Sequence, residues 1–445
     1  MNVFVIHFCF LRVKVFMSTP STPLATSETL DRYCRSLAHR ARAASIELAG
    51  FSSESKAVCL RNMAASIRVS TPLILKANAL DIVAASSLGL SPASIDRLRL
   101  NHERVEQIAA GVEAVATLDD FVGEVLECST QPSGLEVRKI RVPLGVVFFI
   151  YESRPNVTAD AAAVAIASGN AIILRGGKEA AHSSTAIVAA IREAIIASGL
   201  PLDCVQLVDT PDRVVVGLLL AMDTLIDIVI PRGGEDLVRR VCSEARMPVL
   251  KHFRGNCHVY IDRAADIEMA RSITINAKCQ RMGVCNAAES LLVHRDVADA
   301  FLPMIGQELK VHGVAIVADA ATCKVLPFAT LATDADFATE FLGPKISVAV
   351  VDSLDAAIEH VNRYGSRHTD AIVTSDSKAA DRFASRVDTA VVMINASTRF
   401  NDGGEMGLGA EIGISTDKLH ARGPCGPREL TTYKYIVTGN GQTRS

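Results

Sequence analysis

The feature that most constrains this chain is an alternation that starts at residue 146. Short apolar runs at 146–151, 171–174, 205–208 and 226–230 read as strands, and the amphipathic stretches between and after them, at 158–168, 179–198, 212–222 and 235–245, read as helices. Strands that are apolar throughout must be covered on both faces, which is the pattern of a parallel sheet wrapped by helices. A doubly wound sheet of this kind takes its ligand at the carboxyl ends of its strands. A second α/β block follows, with strands at 258–261, 290–293, 346–351, 370–373 and 390–394. The part before residue 120 reads as helices at about 26–50, 54–69, 72–87 and 92–100, then one capped by Asn101 with the stripe Val105, Ile108, Val112 and Val115. Residues 121–142 read as extended strands around Gln131-Pro132-Ser133-Gly134, and a Gly-rich C-terminal stretch closes with a strand at 431–437.

Charge and cysteine usage narrow the function. Lys plus Arg number 46 against 49 Asp plus Glu, too even a balance for a nucleic-acid or acidic-membrane binder. Eleven cysteines contain no Cys-x-x-Cys pair, which suggests reduced thiols rather than a disulfide frame or a zinc ribbon. The histidines show no metal-ligand spacing, so no metal is expected. The apolar start, MNVFVIHFCFLRVKVFM, has its basic residues Arg12 and Lys14 after the apolar run and is too short to span a bilayer. Met17 is the expected start, with 1–16 a non-native or disordered extension.

Two strand-to-helix junctions are cofactor candidates. Arg175-Gly176-Gly177-Lys178 and Arg232-Gly233-Gly234 combine glycines, which admit a ligand close to the backbone, with fixed positive charge for phosphate. Ordinary turns with solvated charges are the alternative at each, and their repetition at one sheet edge favours the nucleotide. Among the thiols, Cys34, Cys59, Cys204 and Cys242 fall inside regular elements. Cys285 instead lies in the turn Gln280-Arg281-Met282-Gly283-Val284-Cys285-Asn286, where Lys278 and Arg281 could favour a thiolate. Cys279 is a rival on the same segment, and spacing does not choose between them.

Several stretches together resemble the aldehyde dehydrogenase superfamily, in its branch that reduces glutamyl phosphate. They are Arg141-Val142-Pro143-Leu144-Gly145-Val146, Tyr151-Glu152-Ser153-Arg154-Pro155-Asn156-Val157-Thr158, Ser168-Gly169-Asn170 through Lys178-Glu179, and Gly283-Val284-Cys285-Asn286. The run from Ala357 through His368 to Ile372, Asn395-Ala396-Ser397-Thr398-Arg399-Phe400 and Leu419-His420-Ala421-Arg422-Gly423-Pro424 complete the set.

The resemblance implies an aldehyde-dehydrogenase-like α/β fold: a doubly wound NADP-binding domain (17–120 and 143–255), an α/β catalytic domain (256–425) and a small β oligomerisation element (121–142 and 426–445). It implies a cytoplasmic, homo-oligomeric enzyme of proline biosynthesis, reducing L-glutamyl 5-phosphate to L-glutamate 5-semialdehyde with NADPH and releasing phosphate. The upstream glutamate kinase is a further candidate partner. Cys285 is then the nucleophile that forms a thioester, and Asn156 with the Cys285 N–H the oxyanion donors. Arg175, Gly177, Lys178, Gly233 and Gly234 would serve the cofactor, Lys178 standing where NAD-preferring relatives carry a glutamate. Glu340, in Glu340-Phe341-Leu342-Gly343-Pro344, would hold the nicotinamide ribose, a solvated helix-end acid being the alternative. Arg399, Ser397, Thr398, Arg281 and His368 are the candidates for the substrate's polar groups. Residues 249–257 lack the general-base glutamate of relatives that hydrolyse the thioester. A CoA-acylating aldehyde dehydrogenase is the rival activity, and a non-catalytic relative the rival outside enzymes.

Overall fold

The computed structural model describes residues 27–444 apart from 88, 153 and 252. The expected extension at 1–16 lies outside the described residues. Among the described residues no helix is long and apolar enough to cross a membrane.

Five helices come first: Ser27–Leu48, Ser53–Val69, Thr71–Ser87, Pro92–Leu98 and His102–Val115. Short polar side chains set several of their starts. Ser52, Ser91 and Asn101 each accept from the backbone N–H three residues on, satisfying a donor that the helix itself leaves unpaired.

The first α/β block forms a four-stranded parallel sheet in the order Val205–Leu207, Ala171–Arg175, Val146–Tyr151, Ile228–Arg232. Its strand Val146–Tyr151 is buried at every position, the cost-free solution for a six-residue apolar run with helices on both sides. One helix starts earlier than its periodicity suggests: it spans Pro155–Ala167 instead of beginning at 158. Proline is pre-organised for the first helical position and lacks the N–H that would otherwise go unpaired there. That shift carries Asn156 onto the helix's first turn.

The second block is a seven-stranded parallel sheet, ordered Thr330–Leu331, Ala315–Ala318, Lys345–Val351, Ala288–His294, Cys257–Ile261, Thr369–Val373, Val391–Ile394. Alternate residues feed two separate cores. Val259, Ile261, Leu291 and Val293 pack on one face, while Tyr260 and Leu292 pack on the other. The strands at 315–318 and 330–331 are additions to the expected set, too short to carry a period of their own.

Residues 125–130, 136–143 and 431–438 join as a three-stranded antiparallel sheet with 136–143 in the centre. Its long strand runs through Leu144-Gly145 into Val146–Tyr151. At that junction Gly145 has φ +129°, and a Cβ there would come within 2.2 Å of Asp227 Oδ2. The same oxygen accepts from the Val146 N–H at 2.6 Å and pairs with Arg42 at 2.9 Å, tying the first helix to two strands.

The carboxyl edge of the four-stranded sheet and the amino edge of the seven-stranded sheet meet. Arg254, just before the strand Cys257–Ile261, pairs at 2.8 Å with Glu235, which opens the helix after Ile228–Arg232. Replacing Gly145 by Ala should displace the Asp227 carboxylate and cost about 1–3 kcal/mol. A lowered thermal midpoint with KM values near wild type would bear this out, and an unchanged midpoint would refute it.

Candidate active site

Cys285 sits in the turn between the helix Ile267–Cys279 and the strand Ala288–His294. The turn lies directly against the chain entering the neighbouring strand: a Cβ on Gly255 would fall 1.9 Å from the Cys285 carbonyl oxygen. Only glycine fits. Around this contact the Gly255 N–H donates to Glu340 Oε1 at 2.8 Å and the Cys257 thiol donates to the Cys285 carbonyl at 3.2 Å. Asn256 donates to the carbonyls of Phe337 and Tyr364 at 2.9 and 2.8 Å. On its other side, Asn286 donates to the Asn401 carbonyl at 2.9 Å and accepts from the Arg399 guanidinium.

Burial pushes the Cys285 thiol up to about 11. The positive charges of Arg232 and Arg154 oppose that rise, whereas the negative charges of Glu411 and Glu340 add to it. Lys278, seven positions before Cys285 in sequence, is engaged elsewhere. Its ammonium is fully buried against Glu289 at 2.6 Å, because an ammonium withdrawn from water requires a counter-ion. Arg232 and Arg154, distant in sequence, take the role expected of it. Cys279 ends the preceding helix and packs against the apolar core on one face of the seven-stranded sheet.

Asn156 lines a cavity of about 270 Å³ together with Arg154, Asp160, Arg232, Asp402 and Glu411. Its side-chain amide donates one hydrogen to Asp160 Oδ2 at 3.1 Å, which leaves the second N–H for another acceptor. Arg399 is near enough to Cys285 and Arg281 for their charges to act on it, and its Nε donates to Gln280 at 2.9 Å. No acidic group lies within ion-pair range of Arg399 among the described residues. Arg281 is exposed, and its charge reaches both Arg399 and Arg154.

Three candidates for substrate contacts are instead engaged with their own surroundings. The Ser397 hydroxyl accepts from the Arg399 N–H at 3.2 Å, and Thr398 donates to the Asn286 carbonyl at 2.7 Å. His368 is fully buried, with Nδ1 2.8 Å from the Thr369 hydroxyl. Like Cys285, Arg281 and Arg399, these three stand outside the lining of the cavity that holds Asn156. Glu340 is partly buried, and loss of water raises its carboxyl above the ordinary range. It is therefore more than a solvated helix-end acid.

At the cofactor edge, Lys178 is exposed at the start of the short turn Lys178–Ala180 and has no ion pair among the described residues. Arg175 donates to the carbonyls of Gly176 and Pro211 at 2.7 and 3.2 Å, so its guanidinium shapes the loop. Gly234 caps the helix Glu235–Glu244, and its N–H binds a carboxylate oxygen of Glu152 at 3.0 Å. A helix N-terminus that already draws an anion, with open space at Gly234, suits a phosphate. The residues present therefore fit a phosphate-bearing cofactor, with a cation for an added phosphate at Lys178.

Sequence reasoning missed Asp160 and Glu411. Asp160 was within reach, one helical turn after Asn156, but Glu411 lies in a Gly-rich stretch without periodicity.

Two facing parallel sheets with a thiol in a turn at their meeting edges define the class, and the chain belongs to the aldehyde dehydrogenase family, whose model matches residues 21–322 and 328–409. It is 56% identical over 433 residues to the gamma-glutamyl phosphate reductase of Rhodopirellula baltica, covering 96% of this chain and 100% of that one. The gamma-glutamyl phosphate reductase of Opitutus terrae is 54% identical, over 92% of this chain and 97% of its own. The crystal structure of gamma-glutamyl phosphate reductase from Thermotoga maritima superposes with a TM-score of 0.90 at 42% identity, over 93% of this chain and all of that one. Within the aldehyde dehydrogenases, the chain belongs with the gamma-glutamyl phosphate reductases.

A thiol held near 11 is neutral at physiological pH, and its thiolate fraction rises roughly tenfold per pH unit below that value. Iodoacetamide labelling of Cys285, followed by mass spectrometry, should therefore accelerate steadily from pH 7 to 10. Arg232→Ala should slow it at every pH. A plateau near pH 8 would contradict the geometry.

Proposed function

We propose that this chain reduces L-glutamyl 5-phosphate to L-glutamate 5-semialdehyde with NADPH, releasing phosphate, through a thioester on Cys285. The observation that carries the reading is near-full-length identity to gamma-glutamyl phosphate reductases, combined with a thiol flanked by guanidinium groups at the meeting edges of two sheets. The reaction is the second step from glutamate to proline.

The chemistry follows from the residues. Arg232 and Arg154 favour the thiolate of Cys285, which attacks the acyl carbon as phosphate leaves. Negative charge then grows on the carbonyl oxygen, where the second N–H of Asn156 and the Cys285 backbone N–H stabilise it. Arg399 and Arg281 supply positive charge for the substrate's anionic groups, and a planar guanidinium suits a carboxylate or a phosphate. When bound, NADPH would supply hydride for reduction of the thioester. Lys178 and the backbone at Gly233 and Gly234 would hold its phosphates, and Glu340 its nicotinamide ribose. Collapse of the resulting thiohemiacetal returns the Cys285 thiol. The segment 249–257, free of glutamate, meets the nucleophile's turn through Gly255, which favours phosphate over water as the second acceptor.

We place the enzyme in the cytoplasm as a homo-oligomer. The three-stranded sheet has two free edges and exposes Tyr433, Tyr435 and Val437, a surface suited to a second copy. The upstream glutamate kinase is a candidate partner for handing over a labile acyl phosphate.

Assayed in reverse, glutamate 5-semialdehyde should reduce NADP⁺ only with phosphate present, Cys285→Ala should abolish turnover and Cys279→Ala should retain it within a few-fold. Activity with CoA in place of phosphate would overturn the reading in favour of an acylating dehydrogenase. Lys178→Glu should raise KM for NADP⁺ at least tenfold while leaving KM for NAD⁺ equal or lower. Equal loss with both would remove Lys178 from the cofactor site.

A further inference from the structure

The cavity that holds Asn156 carries more charge than the thioester chemistry uses. Its wall carries three carboxylates, Asp160, Asp402 and Glu411, and two guanidinium groups, Arg154 and Arg232. Glu411 is satisfied: it pairs with Arg232 at 3.4 Å and accepts from the Gly403 N–H at 3.1 Å. Asp402 is exposed and accepts from the Gly404 N–H at 3.0 Å. Asp160 differs. Its Oδ2 accepts from Asn156, its Oδ1 accepts no hydrogen bond among the described residues, and no cation of the described residues lies within ion-pair range of it. Asp160 is half-buried and lines this cavity with a carboxylate that has no ion pair among the described residues, so it can receive a cation there. Burial moves Asp160 up to about 6, and an entering cation would bring it down again.

The glutamyl group supplies such a cation. Its α-nitrogen is three carbons from the acyl carbon, and Asn156 has one N–H on Asp160 and one left for the acyl oxygen. We propose that Asp160 binds the α-ammonium of the substrate and, by holding that nitrogen protonated against the cavity wall, protects the acyl group from its own amine. The guanidinium of Arg154, on the same wall and with no ion pair among the described residues, suits the neighbouring α-carboxylate.

The protection has a definite chemical object. In the thioester a neutral α-amine can add to the acyl carbon and close a five-membered ring. The carbon–sulfur bond then breaks, the amine proton passes to the departing Cys285 sulfur, and a lactam, 5-oxopyrrolidine-2-carboxylate, is released with the thiol restored. An ammonium has no lone pair for that attack.

This inference rests on the reaction proposed above and is tested apart from it, with glutamate 5-semialdehyde and its deamino analogue 5-oxopentanoate as substrates. With NADP⁺ but no phosphate, the wild-type enzyme should give a single burst of NADPH and negligible lactam. Under the same conditions Asp160→Asn should keep turning over and release lactam stoichiometric with NADPH. With phosphate, the wild type should show a KM at least tenfold higher for 5-oxopentanoate than for the amino substrate, and Asp160→Asn should bring the two within about threefold. A wild type that does not discriminate overturns the subsite whether or not the variant folds. So does a folded variant that keeps the discrimination, and a variant that loses it without forming lactam overturns the protective role. Absence of any phosphate-dependent reaction in the wild type would instead overturn the reaction itself.

Discussion

The contact on which the site depends is between two backbones: Gly255, entering one strand, lies against the carbonyl of Cys285, about to enter the next. Neighbouring parallel strands are about 4.8 Å apart, so segments leading into them run close together, and absence of a side chain at 255 lets them touch. Everything that orients the thiol builds on this closeness. Glu340 takes the Gly255 N–H, Cys257 takes the Cys285 carbonyl, and Asn286 anchors the far side to Asn401. Cys285 is thus positioned mainly by main-chain contacts, while the side chains around it are left to tune charge.

That tuning is a contest between burial and fields. Withdrawal from water keeps the thiol neutral, and two arginines from the cofactor side pull against two glutamates. Arg232 ends a strand of one sheet whereas Cys285 precedes a strand of the other, so the thiol's reactivity depends on how the two sheets' edges meet. The same boundary produces the charged cavity behind Asn156, where an apolar core would have produced an inert one.

Legibility in the sequence followed the range of the forces involved. Elements ruled by period and caps, such as Val146–Tyr151 and the helix opened by Asn101, were readable to within a residue. The turn that carries Cys285 was readable because glycine and cysteine stand together outside any regular element. Long-range pairing was not. Lys278 is seven positions from Cys285 in sequence yet is paired with Glu289, while Arg232, over fifty positions away, acts on the thiol. Ser397, Thr398 and His368 show the same limit. Their motif marks a constrained turn, and only three-dimensional placement tells a structural hydroxyl or a buried imidazole from a ligand.

The Lys278–Glu289 pair has a wider meaning. One partner stands just before the nucleophile's turn and the other just after it, and Glu289 also accepts from the Leu342 N–H at 3.1 Å, beside Glu340. The turn is therefore clasped at its neck, and the clasp reaches the loop that meets Gly255. Such a neck separates frame from content: the ion pair keeps the mouth of the loop shut, so the groups between its two ends are spared that task.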